Sequence, residues 1–351
     1  MIVSLLLFKN DAKRTYCGKK FIKHYTILSS IFMDIHDTKP DSFFNKKASP
    51  LMLLSDPMLD EKEIRLYVKR DDLLRSEEPS GNKWRKLKYN LLEAQAQKHD
   101  TLLTFGGAFS NNIHAVAAAG KAFGFKSIGV IRGEPSSILN PTLRFARDCG
   151  MQLHFVSRNI FRDQNTPHQI DSLHNQFGDF YLLPEGGTNG LALKGSAELV
   201  GEVREQLGYA PDYFCVSCGT GGTMAGIVSA QEDGQETIGI AALKGDFLED
   251  EVRRLLSNDT LGLPNTNFTI QNNYHFGGYA KWTSQLIEFI NEFKEKHGIV
   301  LDPIYTGKLL YGVWDLAEKN YFMRGATIVV VHTGGLQGIL GFNERFENIL
   351  Q

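Results

Sequence analysis

From Leu66 onward, short apolar runs alternate with stretches of helical periodicity, and no other feature narrows the fold so far. Thr101–Phe105, Ser127–Ile131, Met151–Val156, Phe180–Leu183, Asp212–Ser217, Thr237–Leu243 and Ala326–Val331 read as strands. Helical patterns fall between them at His114–Phe123, Pro141–Cys149, Thr166–Phe177, Ser196–Leu207 and Met224–Gln231, and later at Lys281–Lys296 and Lys308–Glu318. The strand runs are nearly continuous in apolar residues, as expected where helices cover both faces of a sheet. The alternation predicts a parallel α/β architecture with ligands bound at the carboxyl ends of the strands. At 351 residues there is room for about two domains.

A formal net charge of -2 gives no electrostatic case for a nucleic-acid partner or an anionic membrane. No apolar stretch approaches the roughly 18 residues of a membrane span. Four cysteines (Cys17, Cys149, Cys215 and Cys218) are too few for a disulfide scaffold in a chain this long. The Cys215/Cys218 pair lacks the second pair that a zinc site needs, so no metal is expected. The pair reads instead as a buried strand cysteine and a loop cysteine, which points to a reducing compartment and a cytoplasmic protein. Residues 1–33 differ in composition: the apolar run Ile2–Phe8 precedes its basic residues, the reverse of a signal peptide, and reads as an extension.

Three loops rich in glycine or asparagine follow strands and open helices, so all three can converge on one crevice. They are Gly106–Asn112, Cys218–Thr223 and His332–Gly335. In the second, Gly219, Thr220, Gly221, Gly222 and Thr223 can close backbone N–H groups around an anion at a helix start, which suits a phosphate. Neither the nucleotide P-loop spacing nor the dinucleotide G-x-G-x-x-G spacing is present. In the first loop, Ser110, Asn111 and Asn112 offer a hydroxyl and two amides for a carboxylate.

Upstream lies S-G-N-K-W-R-K-L, Ser80 to Leu87, where Asn82 reads as the N-cap of a helix. Lys83 and Lys86 stand one turn apart at its start, where cations are unfavourable. A neighbouring ammonium would disfavour the charged form of Lys83 and keep it nucleophilic. A nucleophilic lysine, a phosphate cradle and a carboxylate clamp together suit pyridoxal phosphate, which brings a phosphate and an aldehyde to a carboxylate-bearing substrate.

With K-R-D-D-L at Lys69–Leu73, F-G-G-A-F-S-N-N, D-P-I-Y-T-G-K at Asp302–Lys308 and H-T-G-G in the same order, the chain resembles the 1-aminocyclopropane-1-carboxylate deaminase/D-cysteine desulfhydrase family. The resemblance runs from about Leu66 to Gly335. It implies pyridoxal 5'-phosphate as cofactor and a two-domain tryptophan-synthase-β-like fold (fold type II of these enzymes), with parallel sheets flanked by helices. The expected boundaries are a large coenzyme-binding domain of residues 34–84 and 185–351, with residues 85–184 inserted as a small domain. Residue by residue, it implies Lys83 as the lysine bonded to the coenzyme, Asn111 at the ring hydroxyl, Gly219–Thr223 at the phosphate and Lys86 nearby. Ser110 would contact the substrate carboxylate or move its protons, with Asn111 and Asn112 completing the clamp. Tyr279 and Tyr305 match the two active-site tyrosines.

Phe109-Ser110-Asn111-Asn112 departs from the family's usual Q-S-N clamp. Thr306 stands where the cyclopropane deaminases carry a glutamate, and is expected to give the coenzyme ring nitrogen a hydroxyl rather than a charge. That favours β-elimination on a small amino acid, with D-cysteine foremost, over opening a cyclopropane. Cyclopropane deamination to 2-oxobutyrate is the alternative, followed by a non-catalytic coenzyme binder and, more distantly, a dinucleotide oxidoreductase. A homodimer is expected.

Overall fold

The computed structural model describes residues 48–257, 267–347 and 349–350. The extension read over residues 1–33 lies outside the described residues. The described residues open with β1 (Leu51–Leu53), α1 (Pro57–Glu61), β2 (Arg65–Arg70) and α2 (Gly81–Ala96). Next come β3 (Thr101–Gly107), α3 (Asn111–Phe123), β4 (Lys126–Arg132), α4 (Pro141–Asp148) and β5 (Gln152–Val156). The short α5 (Arg158–Arg162), α6 (Pro167–Phe177), β6 (Tyr181–Leu183) and α7 (Gly190–Leu207) follow. Then come β7 (Tyr213–Cys218), α8 (Gly222–Val228), β8 (Glu236–Ala241), α9 (Leu248–Ser257) and β9 (Phe268–Gln271). The described chain closes with α10 (Ser284–His297), α11 (Thr306–Glu318), β10 (Thr327–His332) and α12 (Gly338–Arg345).

Two sheets result. One has six strands in the order β1-β2-β10-β7-β8-β9, parallel except for the β1 edge. The other has four parallel strands, β5-β4-β3-β6, all from residues 101–183. Successive residues of β10 show why its sequence is continuously apolar. Ile328 and Val330 face a core containing residues of α10 and α11, whereas Val329 and Val331 face a second core with α7, α8 and α9. Each side chain is removed from water on one face or the other, so neither parity can be polar. In the smaller sheet, Leu103, Phe105, Ile128 and Val130 pack against Phe161 of α5 and Leu173 of α6.

Helix α7 does most to position the site, because it packs against both α2 and α8. A Cβ at Gly195 would lie 1.9 Å from the carbonyl oxygen of Arg85, and one at Gly226 would lie 2.5 Å from Cβ of Ser196. Glycine thus permits backbone-close crossings on either side of α7, and the N-termini of α2 and α8 are brought together through it.

Several elements differ from the sequence reading. The N-cap of α2 is Ser80, not Asn82. The Asn82 side chain instead donates to Oγ1 of Thr223, 3.1 Å away and 141 residues further on. Cys218 ends β7 rather than lying in the loop, and it is buried with its sulfur 3.3 Å from that of Met224. Helix α9 buries Leu248, Val252, Leu255 and Leu256, but charged residues between them make this segment polar on average.

Candidate active site

The carboxyl ends of strands from both sheets border one cavity of ≈ 360 Å³, within the usual range for small-ligand pockets. Lys83, Lys86, Ser110–Asn112, Gly219–Thr223, Tyr279 and Tyr305 all line it. Residues up to 222 positions apart in the numbering thus share one pocket.

Lys83 reaches the cavity because Gly81, at φ +63°, turns the chain sharply into α2. A Cβ there would lie 2.4 Å from the carbonyl oxygen of Thr333, so the S-G-N turn and the H-T-G-G loop fit together only with glycine at this position. The Lys83 amine donates to the carbonyl of Gly186 at 3.0 Å. Burial lowers its pKa to about 8, opposed in part by the negative charge of Glu185. Lys86 donates to Oγ1 of Thr188 at 3.1 Å and to the carbonyl of Gly186 at 3.4 Å. Its pKa falls well below the ordinary lysine value, through burial first and the charge of Lys83 second. The sequence argument had the coupling running the other way. Repulsion weakens the charge on Lys86, while desolvation is what activates Lys83.

The glycine cradle adjoins Lys86. Gly221 is left-handed at φ +71° and precedes the first turn of α8. A Cβ on Gly222 would lie 2.9 Å from the Lys86 amine, and one on Gly219 would lie 3.2 Å from the Tyr305 ring. Thr188 joins the Lys86 amine to Oγ1 of Thr220, 2.9 Å away, tying the cradle to the loop after β6. The cradle thus combines open backbone N–H groups at a helix start with a lysine whose charge an anion would restore. That donor set fits a phosphate ester, and the buried amine of Lys83 fits an aldehyde.

Ser110 caps α3 by accepting from the N–H groups of Asn112 and Ile113, which leaves its own O–H to donate into the cavity. Asn111 accepts from Nε2 of Gln337 at 2.8 Å, leaving its amide nitrogen available. Asn112 departs from its expected role. Its amide nitrogen donates to Oγ1 of Thr104 at 2.8 Å, and its carbonyl oxygen is buried without a partner. An acceptor at the cavity wall repels a carboxylate, so the expected clamp narrows to Ser110 and Asn111.

Thr306 also departs from expectation. It is fully buried outside the cavity lining, and its hydroxyl donates to the Asp302 carboxylate at 2.6 Å while accepting from the Asp302 N–H at 2.8 Å. A hydroxyl engaged in both directions behind the pocket wall has nothing left for a coenzyme ring. Its neighbour Tyr305 lines the cavity, 6.4 Å from Tyr279 between ring centroids. Burial raises the pKa of both phenols, and that of Tyr305 strongly, so both stay protonated at neutral pH.

The sequence reading passed over Glu185, Gly186 and Thr188, which lie in P-E-G-G-T-N-G after β6. A turn with several glycines after a strand was the available signal. Arg132 also lines the cavity and carries no such mark, whereas Asp72 and Thr333, likewise in the lining, lie within K-R-D-D-L and H-T-G-G.

A family model described as "Pyridoxal-phosphate dependent enzyme" matches residues 48–334. The chain belongs to that family. Its coenzyme is pyridoxal 5'-phosphate, and its fold is the tryptophan-synthase-β type expected above. Among curated relatives, it is 32% identical over 295 residues to the bifunctional D-cysteine desulfhydrase/1-aminocyclopropane-1-carboxylate deaminase of Arabidopsis thaliana, covering 78% of this chain and 73% of the relative. It is 30% identical to the 1-aminocyclopropane-1-carboxylate deaminase of Rhizobium rhizogenes, covering 82% and 91%. A solved structure described as an ACC deaminase homologue superposes with a TM-score of 0.76 at 27% identity, covering 89% of this chain and 99% of that one. Among the described residues, no helix is long and apolar enough to cross a membrane.

The cradle can be tested directly. Valine at Gly221 would place a β-branched residue at φ +71°, with its Cβ 3.0 Å from Val252. Strain of about 1–3 kcal/mol would distort the nest, so Gly221→Val is expected to weaken pyridoxal phosphate binding by roughly tenfold or more. Equilibrium titration of the folded apoenzyme measures this, and unchanged affinity would remove the cradle from the phosphate site.

Proposed function

We propose that this pyridoxal-phosphate enzyme is a deaminating lyase that carries out β-elimination on a small amino acid. D-cysteine is the foremost substrate, with water giving pyruvate, ammonia and hydrogen sulfide. The observation that carries the reading is that the Lys83 amine, the glycine cradle and the Ser110/Asn111 pair line one cavity. The bound coenzyme supplies an electron sink for charge arising at the substrate α-carbon.

The chain's own groups do the rest. Ser110 O–H and the Asn111 amide nitrogen orient the carboxylate. Lys83, with a pKa of about 8, is suited to hold and return the α-proton near neutral pH. Tyr305 and Tyr279, both protonated, can donate to a departing group. The preference for β-elimination rests on the resemblance, in which Thr306 stands where the cyclopropane deaminases carry a glutamate, so that no carboxyl group is supplied from this position. A thiolate leaves without the stronger electron sink that cyclopropane opening demands.

The second reading, cyclopropane deamination to 2-oxobutyrate, is favoured by the name of the Rhizobium rhizogenes relative. A coupled assay for pyruvate and 2-oxobutyrate, run over D- and L-cysteine, other β-substituted amino acids and 1-aminocyclopropane-1-carboxylate, separates the two. Faster pyruvate release from D-cysteine is the expected result. Faster release of 2-oxobutyrate from the cyclopropane amino acid would overturn it.

A further inference from the structure

Arg132 is the last residue of β4, and the sheet register sets it directly beside Gly107, the last residue of β3. Three residues further along the chain stands Ser110, one arm of the carboxylate clamp. A terminal guanidinium nitrogen of Arg132 lies 3.5 Å from where a Cβ on Gly107 would be, so the absence of a side chain there leaves its head room at the cavity mouth. Arg132 lines the cavity, and its positive charge acts on the phenol of Tyr279. The guanidinium also lies 5.3 Å from the Phe161 ring centroid. Among the described residues, no carboxylate pairs with it.

The α-carboxylate of the substrate already has the Ser110 hydroxyl, the Asn111 amide and the N-terminus of α3, and the phosphate has the glycine cradle and Lys86. An arginine facing the same cavity from the next strand, with its donors uncommitted, therefore has a third anion to meet. Resting on the β-elimination reading, we propose that Arg132 binds a negative charge on the substrate's β-substituent. The substrate class becomes small amino acids whose β-group is anionic: a thiolate, which the guanidinium would itself favour over the thiol, a sulfonate or a phosphate ester. In elimination, the bond from Cβ to that group breaks and the group keeps the electron pair; a thiolate first takes a proton from the Tyr279 or Tyr305 phenol and so leaves as hydrosulfide, and the departing anion lies against the guanidinium.

Two measurements on the holoenzyme test this. The first is calorimetric binding of unreactive acids. Succinate, with its second charge, should bind about tenfold more tightly than propionate to wild type, and Arg132→Gln should erase the difference while Arg132→Lys largely keeps it. The second is kinetic. Arg132→Gln should raise KM for D-cysteine and for O-phosphoserine at least tenfold, while changing that for β-chloroalanine, whose β-group is neutral before it leaves, less than about threefold. Equal rises in KM on all three substrates, or an unchanged succinate preference in Arg132→Gln, would overturn the assignment. If succinate discrimination depends on Arg132 but no β-substituted amino acid yields pyruvate, the second anion site stands and the elimination reading fails. If pyruvate forms but Arg132→Gln binds and reacts like wild type, only the Arg132 assignment falls.

Discussion

Lys83→Ala is expected to abolish turnover, with a loss of at least about 10³-fold, because on the proposed reading this amine is the covalent anchor and the proton carrier at once. Lys83→Arg should do no better. A guanidinium stays protonated and cannot bond to an aldehyde, although it restores the charge. The pH dependence of the amine gives a readout that needs no activity. Burial lowers the Lys83 pKa to about 8, so its neutral form accumulates as pH rises through 8 rather than through the usual value above 10. In the apoenzyme, a limiting amount of an acylating reagent should therefore label Lys83 with a midpoint near pH 8, in preference to Lys308, which burial also lowers to about 8 but whose amine is held by the carbonyls of Ala242, His275 and Gly278. Lys86 is lowered further, but its amine is held by Thr188 and Gly186. Borohydride reduction of the holoenzyme should fix the coenzyme on Lys83, and a coenzyme found on Lys86 would refute the assignment of the two roles.

Arg85→Met should be the most damaging substitution outside the cavity. Arg85 lies between the two lysines on α2 and is itself buried. It donates from Nε and Nη2 to both carboxylate oxygens of Asp71, at 2.6 and 2.8 Å, and from Nη1 and Nη2 to Glu202 on α7, at 2.8 Å each. Asp71 is 0% exposed, and among the described residues its carboxylate accepts otherwise only from the Ser49 hydroxyl. Removing the guanidinium leaves a carboxylate with no access to water, which typically costs about 3–5 kcal/mol. Denaturant unfolding of the holoenzyme should show a loss of that size. Arg85→Lys should recover only part of it, because one ammonium cannot face two carboxylates through paired N–H bonds. The same variant should lower coenzyme occupancy, since this network holds the start of α2 against α7. A stability within about 0.5 kcal/mol of wild type would mean that the two acids are accommodated some other way.

Much of this architecture could be read from local pattern. Every strand read from the sequence is present with its ends moved by a residue or two, because a fully covered parallel strand must be apolar at consecutive positions. The three chemistry-bearing loops were also legible, since glycine and asparagine after a strand mark where a backbone turns sharply into a helix. Lys83 stood out because a lysine at a helix start opposes the helix dipole.

The adjacent pair Tyr305–Thr306 shows where that legibility stops. Tyr305 is the cap before α11 and Thr306 its first residue, and only Tyr305 faces the cavity. The motif Y-T-G-K does not say which, and Asp302 decides it by drawing the Thr306 hydroxyl away from the pocket. Asn112 is a similar case: its amide looks available in S-N-N until Thr104 claims it.

The sequence by itself determined the parallel α/β fold, the order of its loops and the residue types that suit a phosphate, an aldehyde and a carboxylate. These follow from periodicity, glycine and side-chain chemistry, which act over a few neighbouring residues. Only the tertiary structure decided which of those groups are free to act. It set Lys86 on Thr188, Asn82 on Thr223 and Lys83 on Gly186, contacts spanning 102, 141 and 103 positions. It also set the burial that weakens the two ammonium charges. Desolvation and hydrogen-bond commitment depend on what surrounds a group in space, and those surroundings come from parts of the chain that local pattern does not connect.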